Sequence, residues 1–241
     1  VQRVIRFDTV LNDLDTLVEV PYKSLYSTRH RGGGVAAKEN IIYCSFGYGA
    51  WAPDAQNLDD FRGKLLKINL NTMSIDIVAH GLRNPFRFSF DWWLNEGFIA
   101  DVGSTVAEEI NYFTGDYSLL NMGWPCFEGD SQLLDPDTLC DGYSYSSPEY
   151  TYSQAEHRSI TGGCFYNGNY YFADYISGFG GFIDTNWVFH PMPISSSTGL
   201  PLLFPVNVTS MDVNPLTNTL VVSTWIGKIY EYSADPLSIT E

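Results

Sequence analysis

The stretch from His80 to Asp130 carries charged and amide side chains that strand packing alone would not require. Arg83-Asn84 precedes one apolar run, Asp101 ends the next, and Glu108-Glu109 opens a third. Adjacent acids at the start of a strand are commonly charges in contact with water, and Glu108 and Glu109 could be such strand-end charges.

Asp101 and Asp174 each end a strand pattern just before a turn. A pair of acids could serve as general acid and general base. A residue that recurs once per structural unit more often closes a turn through its side chain, however. The repetition therefore predicts that both aspartates are structural.

Other candidate residues indicate little chemistry. His80, His157 and His190 lack metal-ligand spacing with one another or with cysteine, and Gly32-Gly33-Gly34 opens no helix that could bind phosphate. Trp51 and Trp92-Trp93 could stack on sugars, but large aromatic side chains also pack at blade edges, and we expect packing.

Short strands separated by turn residues recur along the chain, and no segment sustains a helical apolar stripe. One unit repeats four times, which predicts an all-β chain of the β-propeller class, whose blades bury their faces against neighbouring blades. The inner strands are predicted at Ile41–Phe46, Gly97–Val102, Tyr170–Tyr175 and Thr219–Trp225, within units at Gly32–Leu70, Arg83–Phe113, Ser159–Asp184 and Val208–Tyr232.

We expect a single partial propeller domain over residues 1–241. The alternation in Val1–Phe7 predicts the outer strand of a blade whose inner strands precede residue 1. Residues 114–157 are predicted to form a long insertion between blades, and such loops are usually functional or protective.

Composition excludes some partners. The chain has 13 basic and 28 acidic residues and a net charge of −15, which disfavours nucleic acid and anionic membrane surfaces. No apolar run approaches the roughly 20 residues of a membrane span.

Four cysteines and one glycosylation sequon bear on the compartment. Cys126 and Cys140 flank a polar loop that a disulfide could close, and Asn207-Val208-Thr209 is an acceptor for N-linked glycan. Together they favour an extracellular or secreted protein. Cys44 and Cys164 lie in apolar strand patterns, where reduced buried thiols are equally expected.

Ordered motifs over most of the chain resemble the soluble quinoprotein glucose/sorbosone dehydrogenases, a family that includes non-enzymatic relatives of the hedgehog-interacting type. Met122 departs from the family pattern, which usually has Tyr there. The matching motifs are HRGG at 30–33, GKLLKI at 63–68, GLRNP at 81–85, DVG at 101–103, EEIN at 108–111, GWP at 123–125, EG at 128–129 and SITGG at 159–163.

The resemblance implies a six-bladed propeller of which about four blades are present, and it implies a redox site. His30 would take the proton from the sugar C1 hydroxyl while hydride passes to pyrroloquinoline quinone (PQQ), and Arg83 would stabilise the quinone oxygens, with Asn84 beside it in the cofactor site. An imidazole is a natural general base near neutral pH, and a guanidinium suits developing negative charge.

Three departures weaken the implied site. Where the family has Gly-Asp near the base, this chain has Gly47-Tyr48, and Arg29 precedes His30 where an Asp is usual. No Lys or Arg occurs from Ser159 to Gly227, although the PQQ tricarboxylate needs cationic partners.

The resemblance also implies a structural calcium, whose ligands would be Gly103, Ser104, Glu109 and the Met122 carbonyl, since calcium takes about six to eight oxygen ligands with backbone carbonyls among them. Glu108 and Glu109 could equally be strand-end charges in water, so both interpretations stay open. The sequence thus favours an extracellular dehydrogenase-like propeller that has lost catalysis and acts as a structural, protein-binding or glycan-binding module. The alternative is a PQQ-dependent aldose dehydrogenase that oxidises the C1 hydroxyl of sugars.

Overall fold

The computed structural model describes residues 1–10, 12–22, 29–49, 51–116, 119–133, 144–155, 158–191 and 206–232. Apart from a single 3-10 turn at Ala52–Ala55, the regular elements of these residues are strands, as predicted. In the same ranges, no helix has the length and hydrophobicity needed to span a membrane.

The first two strands form a small antiparallel sheet, β1 (Gln2–Asp8) with β2 (Asp13–Val20). The strand predicted at Val1–Phe7 is therefore present, shifted by one residue. It is not isolated, because β2 pairs along its whole length. The apolar end of β2 is buried through Leu17, Val18 and Val20.

The four repeated units are four blades. The strands of the first blade are β3 (Val35–Lys38), β4 (Ile41–Phe46), β5 (Lys64–Asn69), β6 (Ser74–His80) and β10 (Leu120–Asn121). They lie in the order β3-β4-β5-β6-β10, and β10 runs parallel to β6. The strands of the second blade lie in the order β7 (Pro85–Asp91), β8 (Glu96–Asp101), β9 (Ala107–Thr114) and β13 (Tyr150–Ser153).

The third blade has four strands in chain order and the fourth has three. The segment 114–157, expected as an insertion, contributes β13 to the second blade and also contains a two-stranded hairpin. These strands are β11 (Phe127–Glu128) and β12 (Ser131–Gln132) in the hairpin, β14 (Ile160–Tyr166), β15 (Asn169–Asp174), β16 (Gly180–Ile183) and β17 (Phe189–Pro191) in the third blade, and β18 (Val208–Asn214), β19 (Thr219–Thr224) and β20 (Ile229–Tyr232) in the fourth.

The strands predicted as inner are β4, β8, β15 and β19, each within one residue at either end. They are the second strands of their sheets. The innermost strands are the first ones, and β14 packs against both β7 and β18. The prediction that these strands are inner is therefore wrong by one strand: the pattern identified a strand of each unit that pairs with a neighbour on both sides, and this strand does not lie innermost.

The apolar cores lie between neighbouring sheets. The β1–β2 sheet packs Leu17 and Val18 against Phe46 and Leu66 of the first blade. Phe88 and Phe90 of the second blade share a core with the first, and Phe172 of the third shares one with the second. Val208 and Val222 of the fourth blade join a core with Tyr171 of the third. No blade buries its faces alone, as the propeller pattern requires.

Candidate functional site

The starts of the innermost strands and the ends of the second strands lie on one face, which we call the upper face. His30 and Arg83 precede β3 and β7, while Tyr48 and Tyr175 follow β4 and β15. Backbone hydrogen bonds join neighbouring blades here: Tyr48 N–H donates to Arg83 O (2.9 Å), and Asn207 N–H donates to Tyr175 O (2.6 Å). The sheets therefore hold the two residues predicted for catalysis on a common framework.

Asp101 fixes the loop that carries Arg83. Its carboxylate accepts the backbone N–H groups of Arg83 (2.7 Å) and Asn84, and Asn84 Oδ1 in turn accepts the N–H of Gly32 (2.9 Å). Asp174 does the same in the next blade, accepting Ser159 N–H at 2.8 Å. The prediction that both aspartates close turns is confirmed.

His30 and Arg83 contact each other, as the resemblance implies. His30 Nε2 lies 3.3 Å from Arg83 Nη2. Burial lowers the pKa of His30 to about 4, and the positive charges of Arg83 and Arg29 act in the same direction. The imidazole is therefore neutral at physiological pH.

An aromatic ring stands where the resembled enzymes have a carboxylate near the base. The Tyr48 ring stacks on the imidazole with centroids 5.3 Å apart and 16° between planes, and it meets Trp124 edge-on at 5.6 Å. The Arg83 guanidinium lies 5.3 Å from the Trp124 ring centroid. His30 Nδ1 is buried without a hydrogen-bond partner. We call His30, Tyr48, Arg83 and Trp124 the imidazole site.

Gly47 is required next to this site. A Cβ at Gly47 would lie 2.1 Å from the carbonyl oxygen of His30, which is closer than real Cβ contacts. His30 itself has a positive φ of 53°, so the loop approaches the end of β4 in a left-handed conformation. The tight approach fixes the imidazole against Tyr48.

Below the Arg83 loop, four buried carboxylates lie close together; we call Asp101, Glu108, Glu109 and Glu128 the carboxylate cluster. Asp101 and Glu109 are directly opposite each other on β8 and β9. The negative charges of Asp101 and Glu128 both act to raise the pKa of Glu109. None of the four forms an ion pair within the described residues, so backbone and amide groups supply their contacts.

Glu128 has the densest set of contacts in the cluster. Its Oε1 accepts backbone N–H groups from four consecutive residues, 104 to 107, three of them at 2.9, 3.1 and 3.3 Å. Its Oε2 is buried and has no hydrogen-bond partner. A carboxylate in such a nest of N–H groups anchors the loop after β8.

Glu108 and Glu109 point in opposite directions from β9. Glu108 accepts the N–H of Gly103 (3.2 Å) and of Ile160 (3.0 Å), which links the second and third blades. Glu109 accepts the N–H of Gly129 at 2.6 Å and the amide of Asn111 at 3.2 Å. Burial raises the pKa of Glu109, and Asp101 raises it further; burial is also the first cause of the raised pKa values of Asp101 and Glu108.

The predicted calcium ligands are only partly brought together. The backbone N–H of Gly103 donates to the Glu108 carboxylate, and the backbone N–H of Ser104 donates to the Glu128 carboxylate. Met122 is buried, and its N–H donates to His80 O (2.9 Å). Within the described ranges, no three His, Cys, Asp or Glu side chains are arranged to hold a metal.

The remaining predicted residues have mixed outcomes. Cys44 and Cys164 are free and buried, as one of the two interpretations held, and burial raises the pKa of each thiol to about 12. Cys126 is buried, but Cys140 and His157 lie outside the described residues, so the Cys126–Cys140 disulfide stays a prediction. His190 Nε2 forms a 2.8 Å hydrogen bond with Asp184 Oδ2.

The tryptophans and the sequon are also placed. Trp92 packs on the first core, as expected, whereas Trp51 is 58% exposed and Trp93 is 92% exposed, so the packing prediction is wrong for these two. Asn207 is half-buried at the upper face, and the Thr209 hydroxyl contacts Ser223. Glycosylation at Asn207 stays a prediction.

Sequence reasoning did not single out Glu128 or Trp124. Both belong to the GWP and EG motifs that carry the family resemblance, so their positions were visible. Their partners, the N–H groups of residues 104–107 and the Arg83 guanidinium, are 21 or more residues away and become neighbours only in the fold.

No protein-family model matches the chain. Two curated proteins of Arabidopsis thaliana are similar to it: the HIPL2 protein, 29% identical over 60% of this chain, and the HIPL1 protein, 26% identical over 62%. The chain matches 27% and 29% of their lengths, so it spans less than a third of these relatives.

Solved structures of sugar dehydrogenases share the fold. The PQQ-bound aldose sugar dehydrogenase of Streptomyces coelicolor has a TM-score of 0.66 at 17% identity, covering 92% of this chain and 65% of that one. The apo aldose sugar dehydrogenase of Escherichia coli gives 0.66 at 18% identity, covering 91% and 69%. A glucose dehydrogenase gives 0.70 at 15% identity, covering 96% and 72%.

The chain therefore has the β-propeller fold of the solved sugar dehydrogenases, and its sequence is similar to the HIPL proteins over somewhat less than two thirds of its length.

Proposed function

We propose that this chain is an extracellular, dehydrogenase-like propeller module that has lost catalysis and binds a protein or glycan partner. The observation that carries the proposal is the imidazole site. There His30, the candidate base, contacts a guanidinium and stacks on a tyrosine ring, and no carboxylate of the described residues lies beside it.

Proton abstraction from a sugar hydroxyl would require His30 to become an imidazolium. Its pKa of about 4 makes it a weak base at neutral pH. The new positive charge would lie 3.3 Å from Arg83, and Tyr48 offers an aromatic ring in place of a negative charge. Both features oppose the charge that the step creates.

The upper face also fits PQQ poorly. A tricarboxylate needs several cationic partners. The third and fourth blades contribute none from Ser159 to Gly227, and a cavity of about 380 Å³ on this face is lined by Phe86, Tyr175 and Trp225 with Arg87 as its one basic residue among those described. We therefore derive no redox step through this cofactor.

Calcium fits better, and we propose it as a structural ion. Glu128 Oε2 and Asn111 Oδ1 are buried acceptors without partners, next to carboxyl groups whose pKa values are raised by burial. A divalent cation would neutralise these groups. Glu109 with Gly103, Ser104 and Met122 is the predicted ligand set, and Glu128 is a further oxygen donor.

The extracellular setting and the partner class rest on sequence features together with the relatives. The acidic composition, the sequon at Asn207 and the pair Cys126 and Cys140 suit an oxidising compartment. The chain matches less than a third of the HIPL proteins, so the activity of any longer protein is part of this proposal.

The second candidate is a PQQ-dependent aldose dehydrogenase. The contact between His30 and Arg83, at the positions that the resemblance assigns to base and quinone partner, favours it. If it is right, the base must gain a negative neighbour when cofactor binds.

Cofactor titration separates the two candidates. The protein is incubated with PQQ and millimolar calcium, PQQ binding is measured by calorimetry, and glucose-dependent dye reduction is followed. We expect weak binding and no reduction above that of His30→Ala. Micromolar PQQ binding with dye reduction that disappears in His30→Ala would establish the dehydrogenase instead.

A further inference from the structure

The upper-face cavity of about 380 Å³ lies at the starts of the innermost strands of the second, third and fourth blades. Its volume is at the lower end of the range for small-molecule sites. It is lined by Phe86, Arg87, Ser159, Ile160, Thr161, Tyr175, Thr209 and Trp225.

The walls are mainly apolar, and the two threonine hydroxyl groups on them are already engaged. Thr161 Oγ1 donates to Val208 O at 2.7 Å, and Thr209 Oγ1 contacts both Ser223 O and Ser223 Oγ. The Trp225 side chain is 76% exposed and available for stacking. A sugar needs many hydrogen bonds, so these walls suit an apolar or aromatic body better than a polyol.

Arg87 is the only charged residue on the described walls of this cavity, and no carboxylate of the described residues neutralises it. It forms no ion pair with any described carboxylate. Its Nη1 makes long contacts with Gly33 O (3.3 Å) and Phe86 O (3.5 Å), and the guanidinium lies 5.0 Å from the Phe86 ring centroid. Asp212 lines a neighbouring cavity of about 570 Å³ together with Arg87 but does not pair with it.

A half-buried guanidinium without an acid partner is a ready site for one carboxylate. It would not neutralise three. We propose that this cavity binds a small monocarboxylate with an apolar or aromatic body, the body lying against Trp225 and the carboxylate on Arg87. The inference rests on the proposed function, in which this face does not hold the tricarboxylate quinone.

The test uses 3-phenylpropionate as the probe and 3-phenylpropanamide as its uncharged match. Binding is followed by calorimetry and by tryptophan fluorescence on the whole chain. We expect the acid to bind at least about tenfold more tightly than the amide, because a charge-assisted hydrogen bond is stronger than a neutral one.

Two cavity variants and one control locate the site. Arg87→Gln should reduce affinity for the acid to that for the amide, and Trp225→Ala should weaken both probes. Trp93→Ala, which removes a 92% exposed ring outside the cavity lining, should change neither. Trp225→Ala removes an exposed ring, so it tests the site even if Arg87→Gln folds poorly.

Equal binding of acid and amide, unchanged affinity in Arg87→Gln, or no binding of the acid at millimolar concentration overturns the inference. A separate PQQ titration tests the proposed function alone. Tight PQQ binding overturns that function whatever the probe does, whereas weak PQQ binding with no probe binding overturns only the present inference.

Discussion

The imidazole site and the carboxylate cluster adjoin each other, and each has an excess of one sign of charge. In the imidazole site, His30 lies near two arginines, and no acid of the described residues lies beside it. In the carboxylate cluster, four buried acids lie together with no ion-pairing cation among the described residues. Asp101 joins them, because it accepts the N–H of Arg83 and is paired across the sheet with Glu109.

The difference separates what the fold needs from what a reaction needs. The carboxylates hold backbone N–H groups of loops and of two blades, so the propeller geometry depends on them directly. At the imidazole site, Tyr48 can stand in place of a carboxylate without loss of packing, because its ring stacks on His30 and meets Trp124. A shared fold therefore does not decide whether the chemistry is shared.

The largest effect is expected at Glu128. Glu128→Ala would leave four backbone N–H groups without their acceptor, and it should lower the free energy of unfolding by about 3 kcal/mol or more. Glu128→Gln keeps one acceptor oxygen and should lose roughly half as much. Urea denaturation gives both values.

Asp130→Asn is the matched control for Glu128. It removes the same charge two residues away at an exposed position, and its effect should stay within about 0.5 kcal/mol. A Glu128→Ala protein as stable as this control would show that the cluster does not support the fold, and the contrast between the two regions would disappear.

The second prediction concerns calcium and Glu109. Calcium at about 100 times its dissociation constant should stabilise the native protein by about 2.7 kcal/mol, and this gain should be lost in Glu109→Gln and kept in Asp130→Asn. Thermal unfolding with calcium or with a chelator measures it. Equal stabilisation of all three proteins would exclude Glu109 as a ligand.

Without calcium, the stability of Glu109→Gln should depend less on pH than the stability of the native protein. The pKa of Glu109 is raised in the folded state from an ordinary value of 4.5, so its stabilising contribution is complete below 4.5 and is lost as pH rises through the folded pKa. In chelator, Glu109→Gln should therefore lose less stability than the native protein between pH 4.5 and 8. If the stability of the native protein and that of Glu109→Gln change with pH in parallel, the pKa of Glu109 is not raised in the folded state.

How far the sequence predicts the molecule can be judged from particular elements. β4 was predicted at its observed bounds, because a short run of mainly apolar residues, β-branched and aromatic ones among them, lies there between turn residues. β2 was missed, since its buried residues are confined to one end and Asp13, Asp15 and Glu19 interrupt the pattern. A short apolar run identifies a strand that is buried along most of its length, and it is missing from a strand that is buried only at one end.

The site was predictable in its residues and not in its contacts. The resemblance brought His30 and Arg83 together correctly, and it showed that the carboxylate near the base is absent. It could not show that the Tyr48 ring lies flat on the imidazole, because ring orientation depends on Trp124 from a distant loop. Long-range side-chain packing carries that information, and local patterns do not.

The smallest effect is a change in the titration of His30, and it tests the imidazole site directly. Tyr48→Asp should raise the pKa of His30 from about 4 by about one unit or more, because a carboxylate beside the imidazole favours its charged form. In the native protein the neutral imidazole contributes stability above pH 6.5, its ordinary pKa, and that contribution is lost as pH falls toward 4. In Tyr48→Asp the loss should be smaller, since the folded pKa lies closer to 6.5. Tyr48→Phe, which keeps the stacked ring, should leave the pKa unchanged, and imidazole proton NMR measures all three proteins. If Tyr48→Asp leaves the pKa near 4, the arginines and burial alone set it, and the missing carboxylate does not explain why His30 is a weak base.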